Sequence, residues 1–376
     1  MHARTIDMPL PHGRPGTRRS LRVHRFGTAG AGPKVYIQAG LHAGEIPGML
    51  VAQHLRHRLE ALPDSDLRGE LVLVPAANPI GLDQVVLGAG VGRFDLAAGS
   101  NFNRAFADLS APVAAAVRDR LGADPVANTA LIRAAIAEAA AALPAASELE
   151  ALRRLLLGLA ADADLMLDLH CDSEAVPHLY TTHSLWPGFA DLAARLGCRA
   201  ALLAEESGGD PFDEACSGLW WRLRQRLGGG HPIPDACAAT TIELRGLADV
   251  DDAQAAADAD AILAHLAVRG VLAGPVPAAP ASVCAATPLA GVDRVQAPAA
   301  GIIAFHVPLG ASVQPGALVA ELVDPVSGER HPCRARSAGI VWSRRLERFA
   351  SAGDTLLSIA GTEPLAAPGQ PLLTAR

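Results

Sequence analysis

Among its 376 residues the chain has a single lysine, Lys34. Schiff-base chemistry and P-loop phosphate binding each need a placed lysine, so one residue at the mouth of the first predicted strand sets both classes aside. No Gly-x-Ser-x-Gly elbow or Gly-x-Gly-x-x-Gly turn precedes a helix. No run of eighteen apolar residues occurs, which excludes a membrane-spanning helix and a membrane partner. The first thirty residues lack a charged-then-apolar leader pattern, and Pro9, Pro11, Gly13, Pro15 and Gly16 would break one. Six scattered cysteines (171, 198, 216, 237, 284, 333) make no Cys-x-x-Cys pair and read as reduced thiols of a cytoplasmic protein. Net charge is −7, and no Lys/Arg cluster is interleaved with aromatics, so nucleic acid is not an expected partner. The one basic run (Arg14, Arg18, Arg19, Arg22, Arg25) reads as a solvated terminus.

What is present is a soluble, enzyme-like pattern. Short apolar runs at Val35–Ala39, Leu71–Pro75, Leu165–Leu169, Ala200–Leu203 and Thr240–Leu244 have the length and flanks of buried strands. Helical stretches lie between them, at about 46–60, 112–121, 129–142, 147–160, 188–196, 217–227 and 251–268. This alternation predicts an α/β fold with a mixed sheet covered by helices on both faces. Residues 1–272 form the expected catalytic domain, with an Ala-rich helical insertion at about 110–162 for packing or oligomer contact. An Ala/Pro/Gly-rich linker follows at 273–288, and 289–376 read as a smaller β domain. Within the latter, 297–322 and 335–359 share a Gly-Ile start and a Gly-x-x-Leu end, two halves able to close into a barrel-sandwich. The intervening turn, DPVSGERHP, has no lysine to carry a cofactor, so this is a structural or lid domain.

Four segments carry chemistry. In IQAGLHAGEIPG (37–48), His42 and Glu45 stand three apart where a strand opens into a helix, so an imidazole and a carboxylate reach one ion. In DLMLDLHCD, His170 ends an apolar strand, either as a satisfied core histidine or as a third ligand. Two histidines and one carboxylate leave a position for water, the composition of a catalytic zinc site with one Zn2+ per chain. Asp168 shares a strand face with His170 and fits either a ligand-orienting carboxylate or core hydrogen bonding. In TTIELRG, Glu243 is a carboxylate inside a strand, a general base beside the metal or a salt-bridge partner of Arg245. Asn103-Arg104 in SNFNRAF offers an amide and a guanidinium suited to a substrate carboxylate.

Together these segments resemble the succinylglutamate desuccinylase/aspartoacylase family, relatives of the zinc carboxypeptidases, over roughly residues 33–250. The order His-x-x-Glu, Asn-Pro turn, Asn-Arg, Asp-x-His, strand glutamate is kept as His42/Glu45, Asn78-Pro79, Asn103-Arg104, Asp168/His170 and Glu243. The resemblance implies metal ligands at His42, Glu45 and His170, a base at Glu243, carboxylate recognition by Asn103 and Arg104, and a β-rich C-terminal domain over the site. The family's arginine after the Asn-Pro turn is replaced by Ile80, and Arg93 of GRFD is the substitute for polarising the carbonyl. FNR stands where Asp-Leu-Asn-Arg is usual, leaving a less acidic pocket. The phrases NPIGL and EESGGDPFDEA look most like bacterial N-acetyl-diaminobutyrate deacetylases. In the second, Asp213 or Glu214 faces a substrate ammonium, or the loop is simply a solvated turn.

The expected activity is therefore zinc-dependent deacylation of an N-acyl amino acid-type small molecule by metal-activated water. A carboxypeptidase for short peptides is the enzymatic alternative, and a non-catalytic metal-binding protein the other. A homo-oligomer is compatible with the helical insertion.

Overall fold

The computed structural model describes residues 1, 3–365 and 372–373. Nine strands make the main sheet: β1 (Arg4–Pro9), β2 (Ser20–Gly27), β3 (Lys34–Ala39), β4 (Glu70–Val74) and β5 (Leu165–Asp172) come first in the chain. They are followed by β6 (His178–Thr181), β7 (Ala200–Leu203), β8 (Ala238–Gly246) and β9 (Ala286–Pro288). In space the order is β1-β2-β4-β3-β5-β8-β6-β7-β9. The central β4-β3-β5-β8 pairings are parallel, while β1-β2, β2-β4 and β8-β6 are antiparallel. The mixed α/β class predicted from the alternating runs is the one observed.

Period-two alternation divides the central strands between two cores. In β5, Leu165, Leu167 and Leu169 enter one cluster with the helices α1 (Pro47–Ala61), α5 (Trp186–Arg195) and α7 (Asp252–Val268). Met166 enters the opposite cluster, beneath α2 (Ser110–Val117), α3 (Pro125–Ala141), α4 (Glu148–Ala160) and α6 (Phe212–Leu227). Asp168 and His170 follow Met166 onto this second face. The helices of 110–160 thus roof the face that carries the polar residues.

Three features depart from the sequence reading. Only part of the Arg-rich start is a solvated stretch: Arg14 and Arg18 are exposed ahead of β2, but Arg22 and Arg25 lie within it, among the buried Leu21, Val23 and Phe26. Arg22 pairs with Asp7 at 2.8 Å, and Arg19 with Glu148 at 2.8 Å. The end of the run thus belongs to a strand of the main sheet. β6 had no signal, being four residues long with a histidine at its head. β9 lies in the stretch read as linker, yet pairs in parallel with β7. Lys34, the lone lysine, pairs with Asp162. All six cysteines are free thiols, and among the described residues no helix is long and apolar enough to cross a membrane.

From Val292 onward the chain forms two further sheets around Val295, Ile303, Val319, Leu322, Val341, Leu356 and Ile359. They are joined to the main sheet's side by Glu174–Ala175, which pairs with the strand Gly339–Arg344. Glu174 also binds Arg344 at 2.5 Å and Arg348 at 2.6 Å.

The first turn of α1 passes very close to β5. A Cβ on Gly48 would lie 2.9 Å from the Leu169 carbonyl oxygen and 3.0 Å from its Cβ. Backbone cannot yield as a flexible side chain does, so Gly48→Ala should lose more from overpacking than the ~1 kcal/mol it gains in helix propensity. A net loss of about 1–2 kcal/mol is expected, and thermal unfolding checks it; an unchanged or raised Tm would show that α1 can move away freely.

Candidate active site

The carboxyl ends of the parallel strands β3, β5 and β8 lie side by side, where α/β sheets place their ligands. β3 delivers the loop of His42 and Glu45, with the Glu45 N–H bonded to the His42 carbonyl at 3.0 Å. β5 delivers His170, and β8 delivers Glu243 in direct register with it. Parallel neighbours in register point to the same face, so the two side chains share one cavity.

Glu45 organises the cluster. Its Oε1 lies 2.9 Å from His42 Nδ1 and its Oε2 2.7 Å from His170 Nδ1. The Cys171 N–H donates to Oε2 at 3.3 Å, and Arg93 Nη1 donates to Oε1 at 3.0 Å. All three residues are buried, and their ligating atoms fall within 4.8 Å of one another. Burial would raise the Glu45 pKa, but His42 and His170 overcome it and hold the carboxyl well below its usual range.

Each imidazole is also gripped from behind. His42 Nε2 lies 2.8 Å from Asn101 Oδ1, which also accepts the Asn103 N–H at 2.9 Å. His170 Nε2 lies 3.1 Å from Asp168 Oδ2, a contact too bent to be a hydrogen bond. Gln38 Nε2 donates to the other Asp168 oxygen at 3.0 Å. Facing the Glu45 carboxylate, each Nδ1 carries a proton in this arrangement; the acceptors behind Nε2 would keep a proton there and free the Nδ1 lone pair for a bound ion. Two imidazole nitrogens and a carboxylate at this spacing fit zinc, whose ligand distances of about 2.0–2.2 Å require donors a few ångströms apart. Asn101 escaped the sequence reading although it opens the NFNR segment; asparagine behind a histidine has no spacing signal.

Glu243 does not pair with Arg245. That arginine binds Asp258 through both Nη atoms, after a bulge in β8 at which Arg245 adopts φ +66°. Glu243 Oε2 is shut off from solvent with no hydrogen-bond partner among the described residues. Burial pushes its carboxyl well above the usual value, and the charge of Glu45 adds to this.

The remaining predicted residues line the same cavity, whose volume is about 980 Å³. Asn103 Oδ1 accepts the Phe212 N–H at 2.9 Å, so this half of the amide holds the start of α6. Arg104 donates to the Asn103 carbonyl at 2.6 Å and has no carboxylate in ion-pair range among the described residues. Burial lowers its pKa. Gly209, at φ +79°, lets the Arg104 stem pass: a Cβ there would lie 2.7 Å from its Cδ. Asp213 and Glu214 stand in the first turn of α6, where the helix dipole favours negative charge. Glu214 Oε1 accepts the Ser207 N–H at 2.6 Å and its hydroxyl at 2.5 Å, tying the 205–211 loop to the helix. Burial raises Asp213, and Asp168 adds to it. His178 lies opposite Glu243 across β6–β8.

The catalytic-domain model of the succinylglutamate desuccinylase/aspartoacylase family matches residues 31–123. A structure from Shewanella amazonensis assigned to that family is 28% identical, with TM-score 0.84, covering 95% of this chain and 98% of its own. One from Shewanella frigidimarina is 25% identical, with TM-score 0.85 and coverage of 96% and 98%. The product-bound ectoine utilization protein EutE (DoeB) of Ruegeria pomeroyi shares the fold at 18% identity and TM-score 0.66, covering 96% and 95%. No curated protein matches the sequence. The family named by these matches is one of deacylases, which supports an amide hydrolase of that kind. Over residues 31–123 the chain is similar to that family's catalytic domain, and over nearly its whole length to solved structures assigned to the family.

Glu214 generates a pH prediction. Burial, with the charge of Asp213, raises its pKa to about 7 against the Ser207 bonds. A carboxyl raised on folding favours the fold while protonated, so its contribution is complete below the unfolded value of 4.5 and is lost as pH rises to about 7. Glu214→Gln has no such titration, and its Tm relative to the parent should climb between those pH values. A parallel pair of Tm-against-pH curves would remove Glu214 from the titrating groups.

Proposed function

We propose that this protein is a zinc-dependent deacylase that releases an amino acid or small amine from an N-acyl amino acid-type substrate. The observation that carries the reading is the buried, unpartnered Glu243 oxygen beside the His42–Glu45–His170 cluster. A carboxylate is left unanswered in a cavity only at a cost, which a proton-transfer role accounts for.

His42 and His170 would hold zinc through Nδ1 and Glu45 through its carboxylate, with Asn101 and Asp168 orienting the rings. Bound there, the ion supplies Lewis acidity and a coordinated water of lowered pKa. Glu243 accepts the proton from the attacking water and returns it to the amide nitrogen as the C–N bond breaks. Its raised pKa suits both halves of that transfer. Arg93 reaches the cluster from the half-exposed side and stabilises the developing charge on the carbonyl oxygen. Arg93 donates to Glu45 Oε1 at 3.0 Å, which holds its guanidinium at the mouth of the cluster. Arg104, desolvated and without an anionic partner, receives the substrate carboxylate, and the Asn103 amide N–H adds a donor. Asp213 faces a substrate ammonium, while Glu214 stabilises the loop behind it. A cavity of about 980 Å³ favours small molecules over long peptides. Residues 1–272 act as the catalytic domain, with 273–288 as a connection and the β-rich remainder as a wall of the site.

Metal analysis and an amine-release assay test this directly. About one zinc per chain is expected, with release from an N-acyl amino acid panel abolished by chelation. Glu243→Gln should retain zinc and fold, while kcat falls on the order of 10²–10⁴-fold. Wild-type turnover in that variant would overturn the assignment of the base.

Arg104→Lys replaces a planar fork by a point charge. KM should rise by the equivalent of about 1.5–3 kcal/mol while kcat barely moves. Wild type should prefer an N-acyl amino acid over its carboxamide, and the variant should lose most of that preference. An unchanged preference would place the carboxylate elsewhere.

A further inference from the structure

The cavity lining is of two unlike kinds. Glu243 of β8, Asp213 of α6 and Arg104 of the 101–106 loop are polar. A set of apolar residues comes from separate parts of the chain: Tyr180 of β6, Leu202 of β7, Ala204 just after it, Leu289, Trp342 and Leu373. All six belong to one hydrophobic cluster, distinct from the two cores of the main sheet.

This wall is already formed. The His178 ring lies 4.5 Å from Trp342 and 5.5 Å from Tyr180, and the Tyr180 and Trp342 rings meet edge-on at 6.4 Å and 84°. Such contacts fix ring orientation and spare a ligand the ordering cost. Leu373 is placed by two backbone bonds, from the N–H groups of Leu372 (2.8 Å) and Leu373 (2.9 Å) to the Ser207 carbonyl. The nearby arginines are engaged. Arg294 donates to the Leu372 carbonyl at 2.5 Å, Arg344 pairs with Glu174, and Arg345 with Glu347 and Asp354. The volume of about 980 Å³ is at the upper end of the range for drug-sized ligands, more than an acetylated glycine fills.

We propose that Tyr180, Leu202, Ala204, Leu289, Trp342 and Leu373 form an apolar subsite that takes a hydrophobic group of the substrate whose carboxylate Arg104 holds. This rests on the deacylase reading. The hydrophobic group comes either from the acyl chain or from the amino-acid side chain, and both meet the same surface.

The experiment compares N-hexanoylglycine and N-acetyl-leucine with N-acetylglycine, and with the acidic N-succinylglycine and N-acetylglutamate. At least one hydrophobic compound should exceed N-acetylglycine in kcat/KM by about 10-fold or more, the discrimination that added methylenes give in an apolar pocket. Whichever does so identifies the source of the group. Leu373→Glu should cut that preference about 10-fold, and Leu373→Met should retain it. The same hydrophobic compounds, titrated calorimetrically into chelator-treated wild-type protein, should bind more tightly than N-acetylglycine. This second readout needs neither turnover nor a variant. Preference for the acidic compounds, equal binding of all compounds, or an unchanged preference in Leu373→Glu would each overturn the subsite. Hydrophobic preference in binding with no amine released from any compound would keep the subsite and overturn the deacylase reading.

Discussion

Glu45 is a charged carboxylate buried at the edge of a sheet, where an unpaired ion costs several kcal/mol. Its two oxygens are answered by two imidazoles, a backbone N–H and a guanidinium. Each imidazole is in turn fixed by Asn101 or set against Asp168, and Asp168 by Gln38. The chain of contacts spans the 101–106 loop, β3 and β5. Anything that displaces one of these elements leaves Glu45 uncompensated, so the sheet's register and the site's geometry are a single constraint.

That constraint explains the surroundings. The face carrying Asp168 and His170 is roofed by helices that exclude water, which strengthens every interaction beneath them and raises the carboxyls of Glu243, Asp213 and Glu214. The opposite face is an ordinary leucine-rich core with α1 pressed close enough to require Gly48. The bulge after Glu243 turns Arg245 to Asp258, so that its charge is spent away from the cavity. One strand thus offers a carboxylate to the site and a cation to the scaffold two residues later.

The β-rich C-terminal part is more than an appendage in this arrangement. It supplies Trp342 to the cavity, it is stitched on through Glu174, and Leu373 returns to the 205–211 loop that Glu214 ties to α6. Substrate selectivity and the seating of the C-terminal part should therefore change together in variants at this junction.

Much of the scaffold was legible because burial on both faces leaves a plain mark. The runs of β3, β4, β5, β7 and β8 were readable as strands, and the helices between them as helices. His42 and Glu45 were paired by spacing, since three residues on a tight turn leave few ways to separate. Outer elements were harder: β2 alternates arginine with apolar residues and resembled a basic tail, and β6 is too short to show a period. What sequence alone determined is the set of groups able to bind an ion and move a proton, because residue type limits chemistry. Which oxygen Glu45 gives to which ring, that Arg245 turns from Glu243 to Asp258, that Asn101 stands behind His42, and that Trp342 and Leu373 wall the cavity were decided only by the tertiary structure. These contacts join residues tens to hundreds of positions apart, and their geometry depends on sheet register and backbone direction, which no local pattern records.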